Sequence, residues 1–177
     1  MRDCVAGLEF MHIKGYVHAD IKSLNFLVTS NLVVKLGDVG ETMAIGSEPK
    51  EGGDGVIRAT TLNWTAPEVL AGQAHRYFPS LDVYSLGLVL FEVLALSVPF
   101  NQEPWTRMSH PELIQSIIQG DRPCLPKDVD TKLEQIIRRC WDAKPDARPS
   151  ATEIYTFMVE YVRELEEKEK GDSSTLQ

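Results

Sequence analysis

Apolar residues along this chain recur mostly at helical intervals, with one short extended stretch near the start. Cys4, Val5, Leu8, Met11 and His12 share one face of a helix predicted over Met1 to Lys14, which Gly15 closes. No capping residue precedes its first apolar position, so the chain is expected to start within a helix. Two strands follow, Phe26 to Thr29 and Leu32 to Leu36, joined by the turn residues Ser30 and Asn31. Beyond Thr65 the pattern is helical. Pro79 and Ser80 open a stretch from Leu81 to Phe100 that is apolar all round, and Pro99 ends it. Ser109 with Glu112 forms a capping box ahead of Leu113, Ile114, Ile117 and Ile118. Leu133, Ile136, Ile137, Cys140 and Trp141 mark the next helix. Ser150 with Glu153 forms a second capping box, ahead of Ile154, Phe157, Met158, Tyr161, Val162 and Leu165.

The expected architecture is mainly α, a helical bundle around a buried central helix, with a short β-hairpin. A membrane span is excluded for Leu81 to Phe100, because Asp82 and Glu92 lie inside it and charges near the bilayer centre are costly. From Glu41 to Arg58 the composition shifts to Gly, Glu and Ser, including Gly52-Gly53-Asp54-Gly55, which predicts a long functional loop. One domain is expected over residues 1–170. Gly171 is expected to cap the solvated run Glu166 to Lys170, leaving 171–177 as a disordered tail.

The 177 residues suffice for one core, and a net charge of -8 argues against nucleic-acid binding, which needs a basic face. Three cysteines, Cys4, Cys124 and Cys140, are too few and too scattered for a disulfide framework or a CxxC metal site. With no secretory leader at the start, a reducing, cytoplasmic compartment is expected.

The chemistry concentrates in His18-Ala19-Asp20-Ile21-Lys22-Ser23-Leu24-Asn25 and in Asp38-Val39-Gly40. Asp20 and Lys22, two apart in an extended loop, can face one site, where a carboxylate orients a hydroxyl and an ammonium neutralises phosphoryl charge. Asn25 and Asp38 flank the predicted hairpin, whose pairing would bring an amide oxygen and a carboxylate together as hard ligands for Mg2+.

These segments resemble the catalytic and metal-binding loops of protein kinases, usually H-R-D-x-K-x-x-N and D-F-G. Ala66-Pro67-Glu68 resembles the motif ending the family's activation segment. Ser80-Leu81-Asp82-Val83-Tyr84-Ser85-Leu86-Gly87 resembles the start of its buried helix, and Cys140-Trp141 with Arg148-Pro149 its closing motif. The resemblance covers nearly the whole chain and implies the C-terminal lobe of a kinase domain, without the N-terminal lobe. It implies that Asp20 orients and accepts the proton of a protein substrate's hydroxyl, that Lys22 contacts the transferring phosphate of ATP, and that Asn25 and Asp38 hold Mg2+. It further implies a brace from Thr61 to the catalytic loop, an ion pair between Glu68 and Arg148, and a tie from Asp82 to the backbone near His18. His18 itself reads as a packed imidazole, and His12 as a surface or partly buried residue. Lys22, Trp64 and Cys140-Trp141 resemble the tyrosine-kinase-like branch of serine/threonine kinases.

Three features depart from the family pattern. Ala19 stands where an arginine usually receives a phosphate from the activation segment. Val39 replaces phenylalanine, which lowers apolar burial by about 1–2 kcal/mol. No Gly-rich loop and no Val-Ala-x-Lys strand lysine are present, so nucleotide grip is missing and the chain alone is expected to be nearly inactive. A kinase-derived binding module without catalysis is the alternative reading, and a chain that complements a separate N-terminal lobe is a third. Retention of Asp20, Lys22, Asn25 and Asp38 together favours the working kinase.

Because Ala19 offers no guanidinium, phosphomimetic changes at Thr42, Ser47 or Thr60 should leave turnover essentially unchanged in a two-lobe protein carrying this chain. A peptide phosphorylation assay on the glutamate variants would check this, and a strong rise in rate would contradict it.

Overall fold

The computed structural model describes residues 1–48 and 61–175. Helix α1 (Arg2–Ile13) buries Cys4, Val5 and Leu8, and Gly15 follows it at φ 84, a left-handed conformation that glycine adopts without strain. The predicted hairpin forms as β2 (Phe26–Val28) and β3 (Val34–Leu36), antiparallel with Phe26 opposite Leu36. Its strands are shorter than expected. The connection runs through Leu32 at φ 59, with the Leu32 N–H bonded to the Thr29 carbonyl, so the turn extends beyond Ser30 and Asn31.

A second antiparallel pair was not legible in the sequence: β1 (Tyr16–Val17) with β4 (Met43–Ala44). Two-residue strands carry no periodicity to detect. The first part of the predicted loop is therefore ordered. Beyond β4, the Ile45 N–H bonds to the Gly15 carbonyl and the Gly46 N–H to Tyr77. Gly52 to Gly55 and Thr60 lie outside the described residues.

The helices follow in order: α2 (Pro67–Leu70), α3 (Pro79–Ala95), α4 (His110–Gln119), α5 (Thr131–Cys140) and α6 (Ala151–Thr175). Helix α3 is the buried one: every residue from Val83 to Phe91 except Ser85 is buried. It stops at Ala95, short of Phe100. Leu96 turns left-handed at φ 49, and Val98 precedes Pro99, whose ring disfavours helical backbone at the residue before it. α4 and α6 begin at the two predicted boxes, in which the backbone N–H and hydroxyl of Ser109 and of Ser150 donate to Glu112 and Glu153. At α5 the Asp130 carboxylate accepts from the N–H groups of Lys132 and Leu133. α6 runs through Gly171 to Thr175, beyond the end expected at Lys170; one glycine costs a helix only about 1 kcal/mol.

The core forms where α3 packs on α5 while α1 packs on α6. Gly87 permits the α3–α5 contact, since a Cβ built there would lie 2.7 Å from the Cβ of Cys140. Cys140 is fully buried, and desolvation pushes its thiol up to about 12, so it serves as a neutral packing group. No helix among the described residues is long and apolar enough to cross a membrane.

Replacing Gly87 by alanine should destabilise the fold by about 1–3 kcal/mol, because backbone must part to admit the methyl. Urea unfolding followed by far-UV dichroism would read this as a lower midpoint at unchanged slope.

Candidate functional site

The site is built on the stretch between β1 and β2. Its first support is Asp82, buried in the first turn of α3. One carboxylate oxygen accepts the His18 N–H at 2.7 Å, and the other accepts the Ala19 N–H at 2.9 Å. The first oxygen also meets His12 Nε2 from α1 at 2.9 Å. His12 is therefore not a surface residue: its side chain is largely buried and closes a three-donor cradle around Asp82. No spacing in the sequence connects positions 12 and 82, so this contact was not legible there. Ala19 takes φ 65, strained for a residue with a Cβ, and the Asp82 bond to its amide helps hold it.

His18 is fully buried, as expected of a packed imidazole. Its Nε2 bonds to the Gly37 carbonyl at 2.9 Å, and its Nδ1 accepts the Asp20 N–H at 3.3 Å. One imidazole thus joins the loop of Asp20 to the residue before Asp38.

Lys22 Nζ donates to Asp20 Oδ2 at 2.6 Å, a charge-assisted bond between two largely buried groups. The Asn25 amide NH2 donates to the Asp20 carbonyl at 2.7 Å and to Asp20 Oδ2 at 3.2 Å. Asp20 Oδ2 is thereby saturated, which leaves Oδ1 as the carboxylate's acceptor for an incoming hydroxyl. Asn25 spends its two N–H bonds on Asp20, which leaves its amide oxygen for a cation.

The Gly37 N–H bonds to the Asn25 carbonyl at 2.8 Å, so the hairpin brings Asn25 and Asp38 to one end. Asp38 is exposed and left-handed at φ 56. An amide oxygen and an open carboxylate at one hairpin end fit Mg2+, which takes one or two protein oxygens and completes its shell from phosphates and water. Among the described residues no cluster of three or more His, Cys, Asp or Glu could hold a metal alone. Val39 is 61% exposed, so no aromatic stack is built on it within this chain.

Away from this end, Arg148 binds Glu68 through two bonds of 2.7 and 2.8 Å, the pair that the family resemblance implied. The guanidinium also donates to the Ser80 and Asp142 carbonyls. Thr61 departs from expectation: among the described residues its buried hydroxyl has no partner, and it does not reach the loop of Asp20 by a hydrogen bond. Its carbonyl instead accepts from the Thr65 hydroxyl and the Trp64 N–H.

The arrangement joins a carboxylate with one open oxygen, an ammonium, an amide oxygen and a second carboxylate at the mouth of one hairpin. Residues 1–158 match the family described as protein tyrosine and serine/threonine kinase. The chain belongs to that protein kinase family. It is similar to ephrin type-A receptor 6 of Rattus norvegicus, 32% identical over 92% of this chain and 15% of the receptor. It is equally similar, at 32% identity over 92% of this chain, to a serine/threonine-protein kinase/receptor of Acanthamoeba polyphaga mimivirus, of which it covers 9%. The RGS domain-containing serine/threonine-protein kinase A of Dictyostelium discoideum is 30% identical over 86% of this chain, which covers 12% of that protein. This kinase-family chain thus spans under a fifth of the length of the curated relatives it matches.

Removing Glu68 alone leaves the fully buried Arg148 side chain without its counter-charge. Glu68→Ala should therefore cost about 3–5 kcal/mol, and replacing both partners by leucine and methionine should cost clearly less. Thermal unfolding of the single and double variants would check the order.

Proposed function

We propose that this chain is the C-terminal lobe of a serine/threonine protein kinase that moves the γ-phosphoryl group of ATP to a protein hydroxyl. The observation that carries the reading is Asp20 Oδ1: its partner oxygen is tied by Lys22 and Asn25, so this one atom is left to meet a substrate. Magnesium-bound ATP, when present, supplies the phosphoryl group and the counter-charge on its phosphates. Asn25 and Asp38 are the residues that would hold the metal. Asp20 orients the substrate hydroxyl and receives its proton at Oδ1. Lys22, now on Asp20, lies where its ammonium can turn toward the charge growing on the transferred group.

The lysine two residues beyond Asp20, together with Thr61 ahead of Ala66-Pro67-Glu68, favours a serine or threonine acceptor by resemblance. The relatives do not decide between acceptors, since the family's own description includes both hydroxyl types.

Beside the site, Leu24, Leu27, Val28, Leu32 and Val39 are 60–82% exposed. An apolar surface of this kind, bordering the cleft, supports the reading that an N-terminal lobe covers it and that the chain by itself turns over little. The reading as a binding module, in which that surface only recruits a partner, leaves the Asp20, Lys22 and Asn25 bonds without a purpose.

In a protein joining this chain to a nucleotide-gripping lobe, Asp20→Asn should lower turnover by about 10²–10⁴-fold at unchanged nucleotide affinity. Radiolabelled transfer to paired peptides differing only in serine, threonine or tyrosine would test the acceptor. Wild-type turnover in the Asn variant removes Asp20 from the mechanism, and transfer to tyrosine alone overturns the serine/threonine reading.

A further inference from the structure

Glu92 lies in the last turn and a half of the buried helix α3 and has no part in the roles above. Its carboxylate Oε1 accepts the Ser23 hydroxyl at 2.9 Å. The other oxygen, Oε2, is buried and lacks a partner, and so does the indole N–H of Trp64. The Trp64 indole favours the charged form of Glu92, less strongly than the Ser23 hydroxyl does, though no hydrogen bond joins the two groups. Two turns of α3 nearer Asp82, Ser85 donates its hydroxyl to the Trp64 carbonyl at 2.7 Å.

Taken along α3, these contacts form two posts. Asp82 holds the backbone of His18 and Ala19, and Glu92, ten residues further on, holds Ser23. On a helix that separation is about 15 Å. Lys22 is fully extended, at φ -158 and ψ 162. Asp20 and Lys22 thus sit on a strap that α3 holds at both ends. A slack loop would let the Asp20 carboxylate drift from its acceptor.

We propose that Glu92, acting through Ser23, is a positioning residue that anchors the second end of the catalytic loop. The inference rests on the phosphotransfer reading for its purpose, but the anchor itself is a property of this chain. The groups acting on Glu92 are the Ser23 hydroxyl and the Trp64 indole, both neutral. Burial outweighs both and raises its carboxyl above the ordinary value, so the neutral form persists to higher pH than in an exposed glutamate. The charged residues of the strap, Asp20 and Lys22, are paired with one another, and Asp82 on the same helix is engaged with His12 and two amides.

The test uses the 177-residue chain labelled with 15N. Amide exchange at Asp20, Asn25 and Phe26, which bond to His18, Lys22 and Ser23, should rise about tenfold in Ser23→Ala and stay near wild type in Ser23→Thr. Amides of α6 should be unaffected, which separates a released strap from general destabilisation. The Trp64 indole resonance should shift with pH as Glu92 ionises, and Glu92→Gln should abolish that shift. With a nucleotide-gripping lobe joined on, Ser23→Ala should lower kcat and leave the nucleotide KM unchanged. Unchanged exchange in Ser23→Ala overturns the anchor whatever the activity. If exchange and indole respond while the two-lobe protein transfers no phosphoryl group, the anchor stands and the phosphotransfer reading falls.

Discussion

Burying the Asp82 carboxylate sets the terms for everything polar in this protein. A carboxylate withdrawn from water costs several kcal/mol unless donors replace the lost hydration. Here the replacements are two backbone amides and an imidazole, drawn from α1 and the loop after β1. Satisfying Asp82 therefore fixes where that loop runs, and it holds Ala19 in a left-handed conformation that few residues with a Cβ adopt. From His18 the constraint passes to Gly37, and so to Asp38. The distance between the two carboxylate-bearing loops is thus decided by a residue belonging to neither.

The host of that carboxylate, α3, is apolar around most of its circumference and has to be enclosed on all sides. Enclosure is tight enough that only hydrogen fits at Gly87, opposite Cys140. Tyr84 is flanked by the guanidinium groups of Arg122 and Arg148, 5.1 and 5.0 Å from its ring centre, and desolvation pushes its hydroxyl up to about 12. Arg148 in turn carries Glu68, which ties the end of the segment after Trp64 to the α5–α6 connection. One rigid helix consequently holds the catalytic loop on one side and the Thr61–Glu68 segment on the other.

Most of the helices were legible because they bury one face and begin at recognisable capping residues; Asp130, Ser109 and Ser150 cap where local chemistry demands. The hairpin was legible too, though its turn was not, since a non-glycine left-handed residue such as Leu32 leaves no signature in composition. The end of α3 was misjudged because hydrophobicity continues through Val98 and Phe100 while backbone geometry does not. The brace from Thr61 failed for a related reason. A motif specifies that a hydroxyl is present, whereas rotamer and neighbours decide what it touches.

By itself, the order of residues determined the family and the helical frame, because each depends on local periodicity or on short, ordered motifs. Only the tertiary structure decided that His12 completes the Asp82 site, that Asp20 keeps one open oxygen, and that Ser23 is moored to Glu92. Those facts join positions up to seventy residues apart, and their geometry exists only once α1, the loop and α3 have packed. The physical reason is that side-chain hydrogen bonds are set within a few tenths of an ångström, a precision that one-dimensional spacing does not carry.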